Sequence, residues 1–238
     1  MAHNVQRGGW TYGISEGFEY SRLAGVHSPG LRPHSHPEAQ FCAVVQGQRT
    51  FWTPHGLVSA KAGEIIFIAP YTIHQAMECT YSCSIYNVYV PTDALRLAPD
   101  CMVLVKPINT SAALTPLIII EQFPELLLRE QAPIESSRVV SRYPTPSPLG
   151  KVAGLAKTAG VSREHFSRRF RKQFGLPPRI LLMGNRISFA RSLLKDGAEP
   201  CSAALEAGFS DQSHMTRHFN AFFGISPNHY QRSLAQRE

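Results

Sequence analysis

Three histidines are the residues of this sequence best suited to binding chemistry. His34 and His36 are two residues apart, so on an extended strand both side chains point to the same face. Glu38 and Gln40 continue that row, and His74 follows farther along the chain. Imidazoles from two strands can meet at one point, where they bind a divalent metal ion or exchange hydrogen bonds with a small molecule.

A second set of polar residues lies in a repeat near the end of the chain. At an offset of 49 residues, Arg168, Phe170, Phe174, Gly175 and Pro178 recur as Arg217, Phe219, Phe223, Gly224 and Pro227. In each copy a short helix should end at a glycine, Gly160 or Gly208. A serine, Ser162 or Ser210, should cap the next helix. This order predicts two helix-turn-helix units.

The second helix of each unit should present one apolar and one polar face, because its phenylalanines recur every four residues. The polar face of the first comprises Arg163, Glu164, Ser167, Arg168 and Lys172. That of the second comprises Gln212, Ser213, His214, Thr216, Arg217 and Asn220. Such side chains can hydrogen-bond base edges and phosphates, so these residues are predicted to bind DNA. The alternative is the solvated face of an ordinary helical bundle.

The net charge differs between the part of the chain that holds the histidines and the part that holds the repeat. Residues 1–148 carry 10 Lys and Arg against 11 Asp and Glu, whereas residues 149–238 carry 14 against 6, giving net charges of −1 and +8. The basic part is expected to meet a polyanion, with double-stranded DNA as the first candidate. A length of 238 residues predicts two domains, each with its own core.

The elements that must position these residues change along the chain. Short β-rich segments separated by Gly or Pro predict a sandwich or barrel; they are Phe41–Val45, Thr50–Thr53, Glu64–Ile68 and Ile85–Val90. We assign residues 1–95 to this β-rich domain. Residues 96–148 are predicted to form an irregular helical or proline-rich connector, with one or two short helices in Leu114–Arg129 and a linker at Pro144–Pro148.

Residues 149–238 have the period of helices. Apolar residues at helical spacing run from Ile180 to Leu194. The predicted helices that follow are Cys201–Ala207, Gln212–Phe223 and one that begins near Pro227. The expected fold class is therefore α+β multidomain, a β-barrel followed by an all-α domain with two helix-turn-helix units.

Cysteine usage and hydropathy predict a cytoplasmic protein. The five cysteines are odd in number, and Cys79 and Cys83 lack the spacing of a zinc knuckle, which favours a reduced chain. No apolar segment follows a basic start, so we expect no signal peptide. The longest apolar run, Leu117–Ile120, is too short to cross a membrane.

The C-terminal motifs resemble those of AraC/XylS family regulators. The resemblance covers residues 149–232 and rests on residues 208–219 with 223–227, and on residues 155–162 with 166–170. It implies that Pro178–Lys195 joins the two units so that both second helices enter adjacent major grooves. By motif position, base contacts would fall on Glu164, Ser167 and Arg168, and on Gln212, Ser213, His214 and Arg217. Such a regulator would bind a small-molecule effector, contact RNA polymerase and form a homodimer.

The histidine region resembles the two cupin motifs. His34, His36, Gln40 and Gly47 match the first motif, with glutamine where a metal-binding carboxylate is usual, and Gly63, Pro70 and His74 match the second. Three interpretations of the histidines stay open: a divalent metal site, a metal-free effector pocket, and buried polar residues of the core. Trp52, Tyr86 and Phe41 are candidate apolar walls of the pocket.

These observations predict a sequence-specific transcription regulator controlled by an effector in a cupin-like barrel. It is expected to need no cofactor, apart from the candidate metal ion on His34, His36 and His74. Two competing hypotheses are a metal-dependent cupin enzyme fused to a DNA-binding domain, and a regulator without an effector.

Overall fold

A computed structural model describes residues 9–26, 30–79, 81–92, 103–108, 114–123 and 150–235. The strands are β1 Trp10–Ser15, β2 Phe18–Val26, β3 Ala39–Gln46, β4 Gln48–Thr53, β5 Gly56–Lys61, β6 Glu64–Ile68, β7 Gln75–Ala76, β8 Cys83–Val90 and β9 Val103–Pro107. The helices are α1 Pro116–Glu121, α2 Val152–Thr158, α3 Arg163–Phe174, α4 Pro178–Lys195, α5 Pro200–Glu206, α6 Gln212–Phe223 and α7 Pro227–Ala235.

The strands form two antiparallel sheets. The larger has the order β1-β2-β8-β3-β6-β9 and the smaller the order β5-β4-β7. All four strand segments predicted from the sequence are confirmed, because each lies within an observed strand. Along β3 the side chains alternate: Cys42 and Val44 join the core between the sheets, whereas Phe41 and Ala43 lie on the other face. The expected fold class is confirmed.

The far face of the larger sheet is covered by chain that was predicted to be a connector. β9 pairs with β6 in register, and Ile119, Ile120 and Phe123 pack on Phe41. The boundary predicted at residue 95 is therefore corrected, because paired backbone and buried apolar side chains extend the first domain to Phe123. α1 lies within the predicted Leu114–Arg129 helical segment, whose later residues, like the Pro144–Pro148 linker, fall outside the described residues.

Turn and cap geometry positions the second helix of each helix-turn-helix unit. Gly160 and Gly208 have φ values of 66° and 77°, the left-handed conformation expected of them. Ser162 caps α3 by accepting a hydrogen bond from the His165 N–H at 3.2 Å, as predicted. The predicted cap at Ser210 is wrong: the Asp211 carboxylate caps α6, because a charged oxygen at the next position accepts from the His214 N–H at 2.7 Å.

The expectation of separate cores is also wrong. One continuous apolar cluster contains Cys42 and Val44 of the barrel together with Phe219, Phe222 and Tyr230 of the helices. A smaller cluster places barrel residues Ile73 and Trp52 against α3. A fragment beginning near Pro148 would leave these helical faces without their cover. Two amphipathic patterns predicted two buried faces, but they could not show that the faces bury each other.

Buried polar contacts cross the same interface. The Arg191 guanidinium lies 2.9 Å from a Glu19 carboxylate oxygen, with both side chains no more than 3% exposed. The Tyr230 hydroxyl donates to Glu19 at 2.9 Å, and the Tyr12 hydroxyl donates to the Phe223 carbonyl at 3.0 Å. Charged partners at this depth hold one arrangement of the two domains, because a charge without its partner would be costly to bury.

Among the described residues, no helix is long and apolar enough to cross a membrane.

Candidate effector site and nucleic-acid interface

The structure brings the three histidines together in the barrel. His34 and His74 lie on adjacent segments that pair through an isolated antiparallel bridge, and His36 follows two residues on. One nitrogen from each ring lies within 4.8 Å of the others, and all three residues are buried. The predicted convergence of imidazoles is therefore present in the structure.

Backbone carbonyls fix the orientation of each ring. The Nδ1 atoms of His34, His36 and His74 lie 2.9, 2.9 and 2.8 Å from the carbonyl oxygens of Arg32, Glu38 and Thr72, respectively. Because a carbonyl oxygen only accepts, each Nδ1 carries the proton, which leaves a lone pair on Nε2 of His34 and His74. His36 Nε2 faces the Gln40 Oε1 atom, itself an acceptor, so Gln40 would have to turn before His36 could bind a cation. The three rings are oriented by the carbonyl contacts that metal-binding histidines typically make.

The histidines are neutral at physiological pH. Burial, followed by the neighbouring His36, lowers the pKa of His34 to about 3. Burial and His74 lower the pKa of His36 to about 4, and burial and His34 lower the pKa of His74 to about 3. A low pKa keeps the lone pair available, because few protons compete with a cation for it.

Gln40 is in the site and Glu38 is turned away from it. The Gln40 carbonyl oxygen Oε1 lies 3.3 Å from His36 Nε2, and the Gln40 amide nitrogen donates to the Asn87 side-chain oxygen at 3.0 Å. The Glu38 carboxylate instead lies 3.8 Å from Arg191 and 3.5 Å from His36 Nδ1. The same-face row predicted from the sequence therefore holds for the two histidines and Gln40 only.

The enclosed cavity has a volume of about 20 Å³. That is room for about one water molecule or one ion, since a water needs roughly 10–15 Å³ by this measure. Phe222 and Phe223 of α6 close one side, and Trp10 and Arg49 contribute to others. The second helix-turn-helix unit therefore supplies part of the wall of the histidine cavity.

The predicted aromatic walls are wrong. Phe41 and Tyr86 lie on the opposite face of the sheet, packed with the α1 region, because strand neighbours alternate between faces. Trp52 packs on the Phe170 and Phe174 cluster of the first helix-turn-helix unit.

The polar faces predicted to read DNA are available to a partner. None of the predicted DNA-binding residues is buried. Seven are exposed: Arg163, Glu164, Arg168, Lys172, Ser213, Arg217 and Asn220. Four are half-buried: Ser167, Gln212, His214 and Thr216. Three of these side chains have local partners. Glu164 pairs with Arg163 at 3.2 Å, and His214 Nδ1 lies 3.1 Å from the Ser210 hydroxyl.

Comparison with known proteins finds a match for the barrel and a match for the helical domain. Residues 20–103 match the family model described as AraC-like ligand binding domain, and residues 155–233 match the one described as helix-turn-helix domain. The transcriptional regulator YbfI of Bacillus subtilis is 44% identical over 61 residues, covering 26% of this chain and 22% of YbfI. The virulence regulon activator VirF of Yersinia enterocolitica is 33% identical over 79 residues, covering 33% of this chain and 29% of VirF.

A solved structure supplies the match in fold. ToxT of Vibrio cholerae aligns over 96% of this chain and 99% of its own, with a TM-score of 0.57 and 11% identity. The chain belongs to the AraC family, because the two family models together match residues 20–103 and 155–233. The sequence alignments cover between a fifth and a third of the curated relatives' length, so they support the domain type more than any one relative's activity.

Some site residues of this AraC-family chain gave no signal in the sequence. Trp10, Arg49 and Phe222 line the histidine cavity although they are far from the histidines along the chain. Phe222 could have been assigned to the buried side of α6 from its spacing, but not to a barrel cavity. Gly184 marks a close contact between α4 and the barrel, since a Cβ atom there would lie only 2.9 Å from His34 Cβ.

Proposed function

We propose that this chain is a DNA-binding transcription regulator and not an enzyme, with α3 and α6 reading double-stranded DNA and the barrel sensing an effector. The observation that carries the proposal is the pair of capped helices α3 and α6, each with a buried phenylalanine face and an accessible polar face. They lie in the part of the chain with a net charge of +8, which suits a polyanionic partner. The regulators among its relatives support the same conclusion.

Selection of bound sequences from random DNA by the full-length chain tests this proposal. We expect one recurrent motif, with protection over roughly two turns of duplex if both reading helices enter successive grooves. Binding should weaken steeply as salt rises, because each neutralised phosphate releases counterions. Recovery of unrelated sequences with equal affinity would contradict sequence-specific reading.

Arg217→Ala is expected to weaken binding to the selected site by about 1–3 kcal/mol if Arg217 contacts a guanine. Preference at one base pair should be lost as well, which competition between single-base variants of the site would measure. Arg232→Ala is the matched control, since Arg232 is also exposed but lies on α7, outside both reading helices. An equal loss with both variants would make Arg217 a general charge contact.

We further propose that the histidine site binds one divalent transition-metal ion. Its three converging imidazoles suit zinc, copper, nickel or cobalt once Gln40 turns away from His36, and the cavity has room for an ion. When bound, the ion would draw the two strand segments that carry His34 and His74 together. This chain's own carbonyls hold the ring protons on Nδ1, so binding needs no change of tautomer.

Tag-free protein dialysed against chelator is expected to bind one cobalt(II) ion per chain, measured by titration calorimetry and visible absorption. His74→Ala should weaken binding by at least about a hundredfold, because one of three ligands is lost. His55→Ala should bind normally, since His55 is exposed and outside the site. Circular dichroism separates lost ligation from lost folding. A folded wild-type chain that binds no cobalt, zinc, nickel or copper would overturn the metal proposal.

A second candidate is a small organic effector, favoured by two unused donors in the cavity wall. Trp10 Nε1 and Arg49 Nε are buried and have no hydrogen-bond partner among the described residues. Known small-molecule pockets measure roughly 300–1,000 Å³, so such a ligand would have to displace Phe222 and Phe223. That displacement would act directly on α6. ToxT has been solved with an unsaturated fatty acid bound, a property of that protein.

Three further expectations stay predictions. They are contact with RNA polymerase, formation of a homodimer, and a cytoplasmic location, all of which the family resemblance or the composition suggested.

A further inference from the structure

Two cysteines that the regulator function does not use lie side by side at the end of the barrel. Cys83 begins β8, and Cys79 precedes it by four residues, in the segment that follows β7. Their sulfur atoms are 2.9 Å apart, and both residues are buried. A disulfide bond is about 2.05 Å long, so less than 1 Å of movement would join them.

A buried arginine faces one of the two sulfurs. The Arg49 guanidinium donates to Cys79 Sγ at 3.1 Å and to the Met77 carbonyl at 3.1 Å, and Arg49 is 1% exposed. Among the described residues, no carboxylate lies within 4.0 Å of this guanidinium to balance its charge. A buried cation beside a thiol stabilises negative charge on that sulfur, which is the condition that makes a cysteine nucleophilic.

The two sulfurs are not equivalent. Cys79 Sγ accepts hydrogen bonds from Arg49 and from the Cys83 thiol, and its own thiol donates to the Gln48 carbonyl oxygen at 3.7 Å. Burial and the contact with Cys79 raise the pKa of Cys83 to about 12, so Cys83 keeps its proton. A third thiol, Cys42, is also buried, and burial raises its pKa to about 12. Cys79 is thus the sulfur prepared to attack, and Cys83 is the neighbour placed to react next.

We propose that Cys79 and Cys83 form a peroxide-oxidised dithiol site. The Cys79 sulfur attacks one oxygen of hydrogen peroxide, the O–O bond breaks, and the leaving hydroxide takes a proton to give water and a Cys79 sulfenic acid. The Cys83 sulfur then attacks Cys79, the S–O bond breaks, and the hydroxyl leaves as a second water with the Cys83 proton. Two thiols and one peroxide give one disulfide and two waters.

Oxidation would also alter the sensor cavity, because Arg49 lines it. A disulfide accepts hydrogen bonds weakly, so Arg49 would lose one of its two hydrogen-bond partners and keep the Met77 carbonyl. The dithiol proposal does not depend on which ligand the histidines bind.

The test uses the reduced full-length chain, treated with hydrogen peroxide, alkylated under denaturing conditions and analysed by peptide mass mapping. We expect a Cys79–Cys83 disulfide to form before Cys42 or the exposed Cys201 is modified. Cys201→Ser and Cys42→Ser should leave this product unchanged. Cys83→Ser should stop at a sulfenic acid on Cys79, trapped as its dimedone adduct.

Arg49→Met adds a rate measurement, with Cys201 as the internal reference. Oxidation of Cys79 should slow by at least about tenfold while that of Cys201 is unchanged. If Arg49→Met does not fold, the dimedone adduct of Cys83→Ser still decides the matter. The proposal is overturned if Cys79 and Cys83 stay reduced at a peroxide dose that modifies Cys201. A disulfide between other cysteines would overturn it as well.

Discussion

Arg191→Met is expected to lower the free energy of unfolding by about 3–5 kcal/mol, because it leaves the Glu19 carboxylate buried without its main cation. Arg191 also lies 4.4 Å above the Tyr89 ring, so its loss removes packing as well as charge. Chemical denaturation of the full chain measures the effect. Since the barrel and the helices share a core, we expect one cooperative transition for both.

Lys195→Met is the matched control for this change. Lys195 Nζ is 3.5 Å from the same Glu19 carboxylate, but its side chain is 32% exposed. Solvent weakens such a pair, and the expected loss is below about 1 kcal/mol. Combining Arg191→Met with Glu19→Gln should recover part of the stability, because no uncompensated charge then remains. If Arg191→Met and Lys195→Met were equally stable, the buried Arg191–Glu19 pair would not be what joins the domains.

Phe222→Ala is expected to destabilise the chain by about 3–5 kcal/mol, the usual cost of truncating a buried phenylalanine. Phe222 is 1% exposed, and its ring lies edge-on to His34 with 5.8 Å between ring centres. The change should also enlarge the histidine cavity. Denaturation measures the first effect, and binding of small aromatic probes measures the second.

Asn220→Ala on the same helix provides the contrast. Asn220 is exposed on the face predicted to read DNA, so its removal should change stability by no more than about 0.5 kcal/mol. Affinity for the selected DNA site should fall instead. A stable Phe222→Ala protein with an unchanged cavity would show that α6 does not close the sensor site.

Phe222 and Asn220 lie on opposite faces of the same helix, which connects the histidine cavity with the face predicted to read DNA. α6 carries Arg217 and Asn220 on one face and Phe222 and Phe223 on the other, and the second face borders the histidines. A ligand that displaces Phe222 or Phe223 would act on α6 by direct contact, without an intermediate element.

The sequence alone determined most of the local structure. The bounds of α6 and of strand β6 were predicted to the residue, because apolar period and Gly at the ends of such segments are local signals. The approximate bounds of α4 came from the family resemblance. The repeat and its motifs identified the family, which the comparisons confirm. The same-face spacing of His34 and His36 predicted a site, although the roles of the histidines and of the DNA-facing residues stay predictions.

Tertiary structure decided which surfaces meet. A period marks Phe219 and Phe223 as buried but does not record what covers them, so the shared core and the cavity wall could not be read from the sequence. The same holds for Glu19 and Arg191, 172 residues apart, whose charges look solvated until the fold buries both. Local patterns are set by neighbours within a few residues, whereas these contacts depend on how the completed barrel and helices pack against each other.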